Sequence, residues 1–396
     1  MLRTIPKTVW IVGIVSLCAD MASELYYPLM PLYLSSIQVS VVGIGVIEGV
    51  AELIVGISKG YFGHWSDVLR RRVPFVKFGY LLSAISKPLI VLSNALAWIF
   101  VVRSADRLGK GIRSAARDAL ISDVSTKQNK AVHFGLHRSM DSIGAVLGPL
   151  IALLLLQCLN WSMQSILIFG IIPGLLAVIC TLWLKDNPST VVGKGKKPQF
   201  LAYFTYWSKA SKEYKLAVVA SSIFFVCNSS DMFLILQGNN ILGSGKEVLS
   251  TMLYAYILYN MVYVCTSYPL GILSTKLGIR PILSVGLLLY AIVYIGMAYA
   301  SNVVHIYVLF GLYGVYAGAT DGLLKAYISN QISADEQGTG LGLFASIQSI
   351  MLMIASILAG VVWQQYGSYW MLIPSAIGAA VVGIYFGIQG NIKHKQ

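Results

Sequence analysis

Long apolar runs broken by short polar turns dominate the chain, and most are of helical rather than strand length. A membrane-crossing helix needs about 20 residues. Runs of that size occur at about 9–34, 43–63, 74–94, 97–121, 131–157, 163–184, 216–238, 248–273, 281–301, 303–328, 340–364 and 369–389. The pattern predicts an all-α membrane protein of twelve spans. The third and fourth runs are nearly fused, and Ser93-Asn94 divides them. The longest polar stretch, 185–215, lies between the sixth and seventh runs. It holds Asn187-Pro188, a Gly/Lys run from Gly193 to Lys197, and Tyr203, Phe204, Tyr206 and Trp207 among lysines. That composition predicts a linker followed by an amphipathic helix on the membrane face. It separates one six-span unit, 1–184, from a second, 216–396.

The polar positions inside the apolar runs are few, and the fourth run holds most of them. Arg103, Asp106, Arg107, Lys110, Arg113, Arg117 and Asp118 lie within one predicted helix. At about 100° per residue they fall within roughly 140° of one another. Leu108, Ile112, Ala116 and Ala119 occupy the opposite side. Charge at membrane depth is costly and is found facing a wet cavity or paired inside a bundle. The fourth span therefore reads as the wall of a polar pocket. Elsewhere, Asp20 and Glu24 share a face of the first span. Glu48, Glu52 and Lys59 lie in the second, Lys87 towards the outer end of the third, and Arg138 and Asp141 in the fifth. The later spans offer Asp231, Asp321 and Lys325, with Tyr256, Tyr259, Asn260 and Tyr263 on one face of the eighth.

Composition agrees with this picture. Hydrophobic residues make up 57% of the 396, charged residues 11%, and mean hydropathy is +0.72. Soluble domains carry about 25% charged residues. The N-terminal run is interrupted by Asp20 and Glu24 and lacks a small-residue cleavage site, so no cleavable signal is expected. The net charge of +13 reflects topology rather than nucleic-acid binding. Nineteen Lys and Arg fall in the termini and the loops after even-numbered spans, and the opposite loops hold Lys246 alone. Basic loops stay in the cytoplasm, so both termini are expected there, in a plasma or inner membrane. Cys18, Cys158, Cys180, Cys227 and Cys265 show no ligand spacing. Neither a disulfide framework nor a metal site is implied. No Walker loop or dinucleotide fingerprint is present, and no cofactor is expected.

The two halves repeat. Shifted by 207 or 208 positions, Gly135-Leu136 meets Gly342-Leu343, Ser142-Ile143 meets Ser349-Ile350, Ile121-Ser122-Asp123 meets Ile328-Ser329-Asn330, and Asp20 meets Asn228. The turn GHWSDVLRR from Gly63 meets GILSTKLGI from Gly271. Transporters use such repeats to place a site at the midplane.

At those turns the chain resembles the major facilitator superfamily. Gly63, Asp67, Arg70, Arg71 and Arg72 match its loop signature, with Val68 and Arg70 where a basic residue and a glycine are usual. Gly144, Gly148 and Pro149 resemble its antiporter motif without the trailing glycine pair. DRLGKGIRSAARDALISD and HRSMDSIGAVLGP resemble a bacterial permease subgroup of unassigned substrate. The resemblance implies two six-helix bundles related by a pseudo-two-fold, with spans 1, 4, 7 and 10 lining a cavity. It implies that Asp67 and Arg71 clasp a neighbouring helix end.

The expected function is secondary transport of a small anionic or zwitterionic organic solute, coupled to protons, by a monomer, with export favoured by the partial antiporter motif. Arg103, Arg107, Lys110, Asp20, Glu24, Asp231, Tyr256 and Tyr259 are the candidate solute contacts. Asp20, Glu24 and Asp106 are the candidate proton carriers. Asp67, Arg71, Arg113, Arg117, Asp118, Arg138 and Asp141 are the candidate gate pairs. The bland alternative is that these charges only lock helices together. An organic-anion or iron-chelate importer, a multidrug/proton antiporter and a non-transporting receptor stay open on the sequence. No nucleophile–base pair supports an enzyme.

Overall fold

A computed structural model describes residues 5–69, 71–125, 130–186, 202–243, 245–333 and 336–393. Among these the chain is helical throughout, with no strand. The helices in order are α1 (Lys7–Tyr26), α2 (Met30–Ser36), α3 (Val41–Leu69), α4 (Val73–Leu89), α5 (Leu96–Asp123), α6 (Lys130–Gln157), α7 (Met163–Phe169), α8 (Ile171–Thr181), α9 (Tyr206–Lys209), α10 (Lys212–Cys227), α11 (Met232–Leu242), α12 (Lys246–Leu277), α13 (Ile279–Tyr299), α14 (Val303–Ser329), α15 (Gln337–Tyr366) and α16 (Ser368–Lys393). Three predicted spans are each made of two helices in series: α1 and α2, α7 and α8, α10 and α11. Among the described residues eleven spans are long and apolar enough to cross a membrane. The twelfth, α5, is long enough, but its charged residues set it apart. The Asn187-Pro188 pair and the Gly193–Lys197 run of the predicted linker lie outside the described residues. Of its amphipathic piece, Tyr206 and Trp207 fall in the short helix α9.

Polar caps punctuate the apolar runs. Ser162 accepts from the Ser165 N–H at the start of α7, Ser211 from Tyr214 at the start of α10, and Asn302 from His305 at the start of α14. Each satisfies an amide that the first helical turn leaves unpaired.

The chain divides into two compact units, one of 1–33 with 50–202 and one of 34–49 with 203–396. In the first, α1 packs along α6, α4 along α5, and α8 against α1 and α4. Val12, Val15, Ala19, Val76, Tyr80 and Ala116 are among the buried residues that fill the space between them. In the second, α10 packs on α15, α13 on α14, and α16 on α13. These are the same pairings displaced by one repeat. Glycine brings two of the helix pairs into backbone contact. A Cβ on Gly109 would stand 2.6 Å from the Gly79 carbonyl, which joins α4 to α5. A Cβ on Gly148 would stand 2.6 Å from the Leu25 nitrogen and the Met21 carbonyl, which joins α6 to α1. Small residues permit such approaches, which hold helices together where no hydrophobic force acts between them.

Candidate functional site

The charged wall of α5 separates into a closed part and an accessible part. In the closed part, Lys87 on α4 places its Nζ 2.8 Å from Asp106 Oδ1. Ser83 Oγ donates to the same oxygen at 2.5 Å, and Lys87 lies 3.2 Å from Ser83 Oγ. Arg103 Nη1 stands 3.3 Å from Asp106 Oδ2, and its guanidinium covers the Tyr26 ring at 5.5 Å. Arg103, Lys87 and Asp106 are all buried. Both carboxylate oxygens are thus occupied, and the close Gly79–Gly109 approach carries α4 near enough for this. The sequence placed Lys87 apart from the site. Its signal was the four-residue series Gly79, Ser83, Lys87, which puts a small residue, a hydroxyl and an ammonium on one helical face.

Arg107, next along the wall, is also buried, and the accessible part begins at Lys110. Arg107 Nη1 is 3.6 Å from Glu52 on α3. Lys110 is exposed and acts on the charge of Asp20 on α1. Glu24, one turn beyond Asp20, is half-buried. Arg107, Lys110, Asp20 and Glu24 are therefore gathered within one unit, around α1 and α5.

Further along α5 the charges change partner again. Arg113 is buried with its guanidinium 4.2 Å from the centre of the Tyr80 ring. Arg117 Nη2 pairs with Asp118 at 3.0 Å, and its Nη1 donates to Ser16 Oγ on α1 at 3.3 Å. Ser16 in turn donates to Asp141 Oδ1 on α6 at 2.5 Å. Arg138, largely exposed, stands 3.6 Å from Asp141.

At the end of the unit where α4 begins, Asp186 accepts from the Arg72 and Val73 amides at 2.8 and 3.0 Å. The Arg72 side chain donates to Ser66 at 2.9 Å and lies 3.6 Å from Asp123. This network joins the ends of α3, α4, α5 and α8. Arg72 occupies it, whereas Arg71 is exposed. The side chain of Asp67 lies outside the described residues.

In the second unit the seventh span breaks between α10 and α11, leaving Asn228–Asp231 unwound. Irregular backbone at membrane depth is tolerated only inside protein or beside water. Asp231 Oδ1 accepts from Tyr313 on α14 at 2.5 Å. The Tyr313 ring lies 5.3 Å from Tyr259, which lies 5.6 Å from Tyr256. Tyr290, Tyr294 and Tyr316 continue the aromatic cluster. Asp231 and Tyr259 are partly exposed and Tyr256 is buried. The break marks a region that hydropathy alone did not distinguish. Asp321 and Lys325 on α14 are exposed, and the Asp321 charge acts on Tyr316 of this cluster. Among the described residues no group of three or more His, Cys, Asp or Glu could hold a metal ion.

Two repeats of six spans, a charged fourth span and a broken seventh agree with one family, and direct comparison decides it. The family model of the Major Facilitator Superfamily matches residues 12–351 and 239–389. The chain belongs to the major facilitator superfamily. An uncharacterised MFS-type transporter of Methanocaldococcus jannaschii, MJ1317, is 35% identical over 364 residues, spanning 91% of this chain and 90% of that one. The inner membrane transport protein YajR of Escherichia coli is 24% identical over 393 residues, spanning 95% and 81%. Among solved structures, the nucleoside transporter NupG superposes with a TM-score of 0.76 at 12% identity, covering 97% of this chain and 99% of that one. A bacterial homologue of the human lysosomal transporter Spinster also gives 0.76 at 12% identity, covering 97% and 96%. These structures share the fold. The protein is thus a multi-pass membrane transporter of the superfamily.

Proposed function

We propose that this superfamily member is a proton-coupled secondary transporter of a small anionic or zwitterionic organic solute, working by alternating access and exporting it. The observation that carries this reading is the exposed Lys110 of α5, one turn from the buried, Glu52-paired Arg107 and acting on Asp20, in a span that is otherwise closed by buried ion pairs. A guanidinium and an ammonium at membrane depth attract a carboxylate or phosphate far more strongly than they would in water. Arg103 supports that wall from behind, through Asp106. In the second unit, taken by itself, Asp231, Tyr256 and Tyr259 are proposed solute contacts. A carboxylate beside tyrosine faces suits an ammonium group, which favours a zwitterion.

Protonation of Asp20 or Glu24 would alter the field that the solute carboxylate meets, and so couple the two fluxes. Asp106 is held by Lys87, Arg103 and Ser83 and is assigned a structural part instead. Arg113, Arg117, Asp118, Arg138 and Asp141, with the Arg72–Asp123–Asp186 network, are the proposed elements that hold one conformation. The bias of Lys and Arg towards one set of loops supports cytoplasmic termini in a plasma or inner membrane. The protein would act as a monomer.

The test is flux in proteoliposomes. A thermal-shift screen of organic anions and zwitterions supplies a solute that stabilises the protein. Its movement is then followed under proton gradients of either sign. Solute accumulation against an opposing inward proton gradient, abolished in Arg107→Ala, is expected. Uptake in the same direction as protons would make the protein an importer. Binding without any flux would make it a receptor.

A further inference from the structure

The seam between α4 and α5 is drawn tight at Gly79, where a Cβ would stand 2.8 Å from Arg113 Cβ and 2.9 Å from its nitrogen. Arg113 therefore roots inside the seam, not on the accessible side of the wall, and is only 4% exposed. Its guanidinium lies 4.2 Å from the centre of the Tyr80 ring, and Tyr80 is 2% exposed. Arg113 Nε and the Tyr80 hydroxyl are both buried, and neither finds a hydrogen-bond partner among the described residues. A fixed positive charge and two kinds of donor meet there without an acceptor.

A buried lysine can shed its proton, but a guanidinium keeps its charge. A buried charge needs a countercharge, and the quadrupole of the Tyr80 face is weaker than a full one. The surrounding helices do not supply it. Among the described residues no carboxylate lies within ion-pair distance of Arg113. α4 carries no Asp or Glu. The acids of α5 are engaged elsewhere: Asp106 by Lys87 and Arg103, Asp118 by Arg117, and Asp123 by Arg72. On α3, Glu52 meets Arg107. Glu48 lies about 15 Å along that helix from Ser58, which packs against Gly111. On α1, Asp20 is acted on by Lys110, and Glu24 lies a turn beyond it. On α6, Asp141 meets Ser16 and Arg138. Neither α7 nor α8 carries a charged residue.

We propose that Arg113 and Tyr80 bind a small inorganic anion, a halide such as chloride, in the α4–α5 seam of the first unit. The guanidinium supplies the charge and the phenol O–H a further donor. The low exposure of both residues restricts the ligand to a small ion. The anion takes the part of the carboxylate that the sequence does not place beside Arg113. Asp106 and Arg113 stand about two turns apart on α5, so the seam is pinned once by the Lys87–Asp106 pair and again by the anion. Binding of the anion follows from the seam alone. Its effect on the conformation held rests on the part proposed for Arg113 above.

Titration of the purified full-length protein from sodium gluconate into sodium chloride, at constant ionic strength and with no solute present, tests this. The melting temperature of the wild type should rise with chloride and then saturate, and bromide should replace chloride where gluconate does not. Chloride NMR line broadening by the protein, competed away by bromide, reads the same site directly. Arg113→Met removes the buried charge and should melt no lower than the wild type in gluconate, since apolar replacement of a buried ionic group is often neutral or stabilising. It should show neither the chloride response nor the broadening. Tyr80→Phe keeps the ring under the guanidinium and removes one donor, and should raise the half-saturating chloride concentration at least about tenfold. If Arg113→Met fails to fold, that shift in Tyr80→Phe decides. A wild type indifferent to chloride, a response retained in Arg113→Met, or an unshifted half-saturation in Tyr80→Phe would overturn the proposal. Solute flux indifferent to chloride, with the chloride response intact, would remove the anion from conformational control and leave the site standing.

Discussion

Lys87 and Asp106 lie 19 positions apart on different helices, yet their charged atoms are 2.8 Å from each other. The pair is buried, and Ser83 and Arg103 complete it. Removing one partner of a buried ion pair leaves an uncompensated charge, which costs about 3–5 kcal/mol. Lys87→Met should lower the melting temperature in detergent sharply, while Lys87→Arg should recover part of the loss. A Lys87→Met protein that melts like the wild type would show that the pair contributes nothing.

Lys110 is predicted to separate binding from folding. Lys110 is exposed, so Lys110→Ala should leave thermal stability unchanged. It should still weaken binding of an anionic solute by about tenfold, or about 1.4 kcal/mol. Arg107→Ala should weaken binding by at least as much. Titration calorimetry with the stabilising solute measures both. Unchanged affinity in both variants would remove α5 from the solute site.

The seam at Gly148 has no room for a larger side chain. A Cβ there would press on backbone atoms of Met21 and Leu25 at 2.6 Å. Overpacking costs about 1–3 kcal/mol, so Gly148→Val should destabilise the protein by that order and separate α1 from α6. Gly135, whose Cβ would meet nothing within 4 Å, serves as the control, and Gly135→Ala should be neutral. Comparable melting of the two variants would contradict the packing.

Asp186 accepts two amides at the start of α4. Asp186→Ala should cost about 1 kcal/mol, as for the loss of a helix cap. Arg72→Ala should add to proteolytic sensitivity at that end, and Arg71→Ala should not, because Arg71 is exposed. Limited proteolysis of the three variants distinguishes the two arginines.

Tyr313 supplies a hydroxyl to Asp231 at 2.5 Å. Tyr313→Phe keeps the ring packed against Tyr259 and removes only the donor. Loss of a bond to a charged group costs about 1.5–3 kcal/mol, and the variant should melt correspondingly lower. Its preference for a zwitterion over the matching plain anion should also change, which competition binding reads directly.

Hydropathy was enough to show twelve helical spans, because a membrane segment satisfies its backbone only as a helix or within a closed barrel. Periodicity was enough to gather seven charges on one side of α5, because helical geometry is local. The short loop motifs and the shifted repeat pointed to the superfamily through residues such as Gly63, Asp67 and Gly148. Three features were not legible in the same way. Lys87 looked peripheral until the Gly79–Gly109 contact set α4 against α5. Arg72, rather than its neighbour Arg71, turned out to face Ser66 and Asp123. The break at Asn228–Asp231 lies inside an apolar run with no proline.

The order of residues along the chain thus set where helices form, which faces carry charge and which half repeats the other, since all three depend on neighbours a few positions away. The choice of partner for each charge depended on packing. Asp106 meets Lys87 and Asp141 meets Ser16 only because glycine contacts bring α4 to α5 and α6 to α1. Ion pairs and carboxyl contacts act over a few ångströms, and distances of that kind between separate helices are set by how side chains interlock, not by spacing along the chain.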